Sequence, residues 1–247
     1  MINWQIVGSA LAMFAVTVCV ACSNSAGRPA QDSAVIPPDH IMDFSVLYAQ
    51  NCAGCHGVEG SGGAAMSLAN PTYLAIANDA VIRHTAANGV PGTPMPAFAQ
   101  SAGGMLTDKQ IDALVRGIRS WAKPDALRDA TPPPYAAQSA GDSQRGADAY
   151  RTYCSSCHGA DGRGGIKASS IVDGSYLALV SNQQLRTIVI AGRPELDAPD
   201  WRNDVEGRPI SPQDISDVVA WLSSQRPKFP GQPYSTASTN AATGGSR

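Results

Sequence analysis

Cys52-Ala-Gly-Cys55-His56 and Cys154-Ser-Ser-Cys157-His158 are two copies of one pattern, 102 residues apart, and they use four of the chain's six cysteines. Two thiols two residues apart on one helical turn can bond the two vinyl groups of a porphyrin, and the imidazole that follows then falls beneath the iron. Each copy therefore reads as a covalent attachment site for a c-type haem. Each is followed by the same Gly-x-acidic-Gly-x-Gly-Gly run, Gly57 to Gly63 and Gly159 to Gly165. Chance is a poor account of two such matches.

The similarity extends beyond the motifs. At offsets of 102 to 104 residues, Tyr48 lies over Tyr150, and Gly89-Val-Pro-Gly-Thr-Pro-Met95-Pro lies without a gap over Gly192-Arg-Pro-Glu-Leu-Asp-Ala198-Pro. Leu106-Thr107-Asp-Lys-Gln110-Ile111 likewise matches Ile210-Ser211-Pro-Gln-Asp214-Ile215. Copies of this size are domains rather than solenoid repeats.

The pattern predicts an all-α chain. Ile41, Phe44, Leu47 and Tyr48 mark an amphipathic helix over 41–51 that feeds the first motif. Thr107 and Gln110 form a capping box before the stripe Ile111, Leu114, Val115, Ile118. Ser211 as N-cap and Pro212 at the first helical position precede the matching stripe Ile215, Val218, Val219, Leu222. Residues 64–98 read as short helical pieces ending in the turn-rich Gly89-Val-Pro-Gly-Thr-Pro, and no strand pattern stands out.

Residues 1–21 read as an export signal or N-terminal anchor, because Ile6 to Ala21 is an apolar stretch of sixteen residues, short for a membrane span. Val20-Ala21-Cys22-Ser23 resembles a bacterial lipobox, which makes Cys22 a candidate for acylation. An uncleaved helical anchor, or a signal cut elsewhere, are the alternatives. All place the domains on the periplasmic or cell-envelope side of a bacterial membrane. Residues 22–40 read as a flexible tether, 41–122 as the first domain, 123–143 as a linker carrying Pro132-Pro133-Pro134, 144–227 as the second domain and 228–247 as a disordered tail.

A net charge of −2, with no Lys or Arg run, argues against nucleic acid as a partner. Aromatic residues make up only 6% of the chain, so a buried macrocycle would supply apolar volume that the side chains do not. Zinc in a four-cysteine site is disfavoured by the length between the pairs, and two short disulfides would be strained.

The arrangement resembles the class I cytochrome c family in tandem, diheme form, over about two thirds of the chain. The resemblance implies two covalently bound haem c groups, thioethers at Cys52, Cys55, Cys154 and Cys157, proximal ligands His56 and His158, and Met95 in its Met-Pro context as the distal ligand of the first haem. It further implies transfer of single electrons between respiratory partners, such as a terminal oxidase or a quinol-oxidising complex; membrane attachment is expected from the N-terminal stretch, through a lipid or a helix. No general base or nucleophile points to an enzyme.

The second half departs from the family at Ala198, where the register requires Met. No Met follows Met105, and His158 is the second half's only histidine. Three outcomes stay open: an iron that is five-coordinate or binds water, a ligand recruited from Lys167, Tyr176, His40, His84 or Met42, or a rearranged register or partner-supplied ligand. The first allows an alternative function, a haem enzyme resembling diheme peroxidases and acting on a small ligand. Glu195, Asp197 and Asp200 are then the nearby carboxylates. Phe98 and Trp201 are candidate packers against the macrocycle, and Arg193 and Arg202 are candidate partners of its propionates.

Overall fold

Asp43 sets where the first helix begins. Its carboxylate accepts a hydrogen bond from the Val46 amide, satisfying a donor that the first turn leaves orphaned. Helix α1 therefore runs Phe44–Asn51, three residues shorter than the apolar pattern suggested, while the Ile41 carbonyl accepts from the Gln110 side chain at 3.0 Å. This computed structural model describes residues 36–127, 130–203, 205 and 207–228. The expected signal or anchor at 1–21, the acylation site at Cys22 and the tail after 228 lie outside the described residues. Residues 36–40, with a 3-10 turn at Pro38–His40, belong to one unit, and the helical domains belong to another that begins at Ile41.

Ten α-helices and no strand occur among the described residues, the only β pairing being isolated bridges. In the first half α1 is followed by α2 (Ala53–His56), α3 (Pro71–Ile76), α4 (Asp79–Asn88) and α5 (Asp108–Arg119). The second half repeats the series as α6 (Ser143–Tyr153), α7 (Ser155–His158), α8 (Gly174–Leu179), α9 (Asn182–Ala191) and α10 (Pro212–Ser224). The expected capping box at Thr107 and Gln110 is present, and Ser211 caps α10 with Pro212 in its first turn. Both predicted apolar stripes are buried. No helix among the described residues is long and apolar enough to cross a membrane.

The first and last helices of each half pack together, and the close approach is solved in opposite ways. In the first half the bulk is on α1: a Cβ built on Gly117 of α5 would lie 2.0 Å from the Phe44 ring. In the second half the bulk is on α10: a Cβ on Gly146 of α6 would lie 2.0 Å from the Asp217 carbonyl and 2.8 Å from Trp221 Cβ. Phe44 and Gly146 occupy matching positions, as do Gly117 and Trp221. In both halves a glycine faces the bulk of the other helix: the Phe44 ring in the first half, and the Asp217 carbonyl with the Trp221 Cβ in the second.

Asp217, 2% exposed at its side chain, fastens the start of the second half. Arg145 donates to its two oxygens at 2.8 and 2.9 Å, and the Asp142 amide and Gln213 donate as well, at 2.7 and 2.9 Å. Burial acts to raise the pKa of this carboxyl, but these hydrogen bonds outweigh it and hold it below the ordinary value. A depressed carboxyl contributes stability that is present above its unfolded pKa of about 3.9 and is lost as pH falls through the lower folded value. The melting temperature of the wild type is expected to fall steeply below about pH 4, whereas Asp217→Asn should start lower and vary less there. Thermal melts across that range check this, and parallel curves would count against it.

The linker is held to the second half. Buried Arg186 of α9 donates to the carbonyls of Pro134 and Tyr135 at 2.9 and 3.0 Å, and Gln183 donates to Tyr135 at 2.9 Å. The halves also touch directly. Asn70, the N-cap of α3, donates to the Ala191 carbonyl at 2.9 Å, and Ala191 packs in a cluster with Tyr73, Leu74, Ala77 and Ile82. The end of α9 and the loop after it thus lie against the first half.

Candidate functional site

Each Cys-x-x-Cys-His motif is placed by a break between two helices. The backbone bends at Cys52 (φ −121°, ψ −37°) and equally at Cys154 (φ −120°, ψ −29°). The amide of each bonds back to a tyrosine carbonyl, Tyr48 at 2.8 Å and Tyr150 at 2.9 Å, and its carbonyl accepts from the His56 or His158 amide at 3.0 Å. The short helix that results carries the second cysteine and the histidine, with the first cysteine as its N-cap. Tyr48 and Tyr150 donate their hydroxyls to the carbonyls of Gly57 and Gly159, which ties the following loop to the preceding helix. Trp121 stands edge-on to Tyr48 at 5.0 Å, and Trp221 stacks on Tyr150 at 4.3 Å.

The imidazoles are oriented alike. His56 Nδ1 lies 2.8 Å from the Met66 carbonyl and His158 Nδ1 lies 2.8 Å from that of Ser169. A carbonyl can only accept, so Nδ1 carries the proton and donates, and the lone pair is on Nε2. That is the arrangement a metal-binding histidine needs. Burial, the leading cause, depresses the pKa of His56, against the Met66 hydrogen bond, which raises it; the charge of Arg193 adds to the lowering. His56 is 9% exposed, whereas His158 is more open.

All four described cysteines are free. Burial, reinforced by the second cysteine of each pair, pushes the thiols of Cys52 and Cys154 up to about 11, so both are neutral near pH 7. No cluster of three or more His, Cys, Asp or Glu side chains suited to a metal ion occurs among the described residues. Paired free thiols beside an imidazole with a bare Nε2 fit covalently attached haem at both places.

The loops expected to carry the sixth ligand match in their hydrogen bonding. The Val90 amide donates to the Met95 carbonyl at 3.0 Å, and the Arg193 amide donates to the Ala198 carbonyl at 3.0 Å. Gly89 and Gly192, which open the loops, have φ of 68° and 67°, and a Cβ on either would strike the backbone at 95–97 or 198–199. Only glycine accepts both constraints. Ala198 therefore stands structurally where Met95 stands, as the gap-free sequence match suggested.

Beyond that point the agreement is partial: the Leu106 amide bonds to the Phe98 carbonyl and the Ile210 amide to that of Trp201, both at 2.7 Å. The Trp201 amide bonds to the Ile190 carbonyl, but the Phe98 amide bonds to that of Ala86, one residue out of step. Trp201 is buried with Ile190, Ile210 and Ile215, while Phe98 is only half-buried. The two aromatics are thus not equivalent packers.

Of the recruited-ligand candidates, Lys167 is exposed, Met42 is 42% exposed, and His84 sits on the exposed face of α4 beside Asn88 at 3.2 Å. His40 neighbours Asp39 at 4.0 Å. Tyr176 is half-buried on α8, its phenol pKa raised by burial and moderated by the charge of Arg193. Arg202 pairs with Asp200 at 2.6 Å and lies 5.0 Å over the Trp201 ring. Arg193 pairs with Glu195 at 2.5 Å. Sequence reading missed the carbonyls of Met66 and Ser169, since backbone acceptors leave no mark in residue identity, and it missed that Arg193 also reaches the first half.

The family model described as cytochrome c oxidase, cbb3-type, subunit III matches residues 39–116 and 141–222. No curated protein matches the chain. Among solved structures, a chain of the Kuenenia stuttgartiensis reducing HAO-like protein complex Kustc0457/Kustc0458 aligns at 19% identity and a TM-score of 0.41, covering 74% of this chain and 96% of that one. The thiosulfate dehydrogenase TsdBA from Marichromatium purpuratum aligns at 18% identity and a TM-score of 0.33, over 82% of this chain and 50% of that one. With the family match falling on both halves, the chain belongs to the cytochrome c oxidase, cbb3-type, subunit III family, whose members carry covalently bound haem c, and it is a tandem class I cytochrome c.

Proposed function

We propose that the chain is a diheme c-type cytochrome that passes single electrons between redox proteins on the periplasmic or cell-envelope side of a bacterial membrane. The observation that carries this reading is the repeated imidazole geometry: Nδ1 of His56 and of His158 each donates to a backbone carbonyl at 2.8 Å, beside a pair of free cysteines. Haem c held at such a place supplies a one-electron couple. The chain's own residues divide the remaining work. Cys52, Cys55, Cys154 and Cys157 form the thioether bonds, and His56 and His158 present Nε2. Met95 adds a thioether that favours the reduced state at the first site. Ala198 offers no donor at the second, leaving that position open.

The partners proposed are a terminal oxidase and a quinol-oxidising complex. The family's description as an oxidase subunit supports trying the oxidase first. Attachment through a lipid on Cys22, or through an uncleaved N-terminal helix, would keep the chain at the membrane.

Ala198 also favours a second reading, a haem enzyme resembling diheme peroxidases that acts on a small ligand at the second site. Against it, Glu195 and Asp200 are engaged by Arg193 and Arg202 rather than poised for proton transfer. Peroxide turnover by the purified holoprotein separates the two readings.

Intact-mass measurement of protein purified from a cell envelope tests the proposal. The wild type is expected to carry the added mass of two haems, and a Cys154→Ala, Cys157→Ala variant that of one. A wild-type chain without added mass would end the proposal.

A further inference from the structure

The loop after α9 serves more than its own half. Arg193, next to Gly192, extends into the first half, where its Nη2 donates to the Gly63 carbonyl at 3.0 Å. Gly63 closes the glycine-rich loop behind Cys55 and His56, and a Cβ there would lie 2.1 Å from the Cys55 carbonyl. The guanidinium is thus fixed to the backbone that frames the first motif. Its Nε donates to Glu195 at 2.5 Å, and the two side chains keep only 15% and 19% exposure. Glu195 as a residue is exposed, but with both side chains mostly covered the pair is screened by salt less than free surface charges are.

We propose that Arg193 and Glu195, both residues of the second half, set the reduction potential of the group held at His56 in the first half. The proposal rests on the reading that haem is attached at Cys52, Cys55 and His56. Its sign follows from charge. Reduction adds one electron at the site, so a neighbouring cation favours it and a neighbouring anion opposes it. In the wild type the two effects offset each other, and removing one member exposes the other.

The test is a spectroelectrochemical titration of the holoprotein, with the first-site transition identified as the one that Met95→Ala moves. Arg193→Gln is expected to lower the first-site potential, Glu195→Gln to raise it, and the double variant to return it close to the wild-type value. Arg193→Lys, which keeps the charge, should shift it less than Arg193→Gln does. A unit charge about 10 Å from a site, at an effective dielectric constant of about 20, changes a one-electron equilibrium on the order of tenfold, about 59 mV. Shifts in the same direction for both single variants, shifts confined to the second-site transition, or no shift would overturn the proposal. Glu195→Gln leaves the contact of Arg193 with Gly63 in place and decides the matter alone if Arg193→Gln does not fold. Haem content is measured on the same samples by pyridine haemochrome. Full haem content with an unmoved first-site potential removes the role of the pair only, whereas no haem at the first site removes the reading beneath it.

Discussion

Reduced Met95→Ala protein is expected to bind carbon monoxide at both sites where the wild type binds it at one, and Ala198→Met is expected to bind it at neither. The argument is backbone equivalence. Positions 95 and 198 each accept a hydrogen bond at 3.0 Å from the residue after a left-handed glycine, so their side chains leave matching points of matching loops. A thioether leaving that point can donate to iron, and a methyl group cannot. Met95→Ala should also lower the first-site potential, because the thioether favours the reduced form. Carbon monoxide difference spectra and a redox titration read both effects. A wild type that takes up no carbon monoxide would mean that another side chain, such as Tyr176 or Lys167, fills the second position, and the open-site reading would fail.

The second large effect concerns stability. Gly117→Leu is expected to destabilise the first half by about 1–3 kcal/mol or more, since even its Cβ would stand 2.0 Å from the Phe44 ring. That ring has little room to retreat, being packed at 5.6 Å against Tyr48 and 5.3 Å against Trp121. In a domain of this size each kcal/mol lowers Tm by about 4–8 °C. Phe44→Ala, itself destabilising because it opens a cavity, should recover part of the loss when combined with Gly117→Leu. A double-mutant cycle on thermal melts measures that coupling. Strict additivity of the two changes would show that the residues do not compete for the same space.

Much of the fold was legible because its signals are local. The box at Thr107 and Gln110, the Ser211 cap and both stripes lie within a few residues of what they control, and the structure has them as read. The pattern misjudged the start of α1, because the apolar residue Ile41 says nothing of the Asp43 side chain that begins the helix two residues later. Phe98 and Trp201 keep the matching bond that their carbonyls accept from Leu106 and Ile210, but their own amides reach carbonyls one residue out of step, and only the indole is buried. The contacts that stayed out of view join distant parts: Arg186 holding the linker carbonyls, Asn70 bonding to Ala191, and Arg193 to Gly63. Nothing in a run of residues announces a partner 52 to 130 positions away.

The exchanged ring and glycine also bear on how two similar halves stay separate while the chain folds. Were α1 to close on α10, Phe44 and Trp221 would compete for one gap. Were α6 to close on α5, Gly146 and Gly117 would face each other across an unfilled one. Either mispairing would lose packing that the correct pairing keeps, so size at these crossings favours each half closing on its own helix. Shape complementarity at two crossings thus guards a duplicated chain against trading parts with itself.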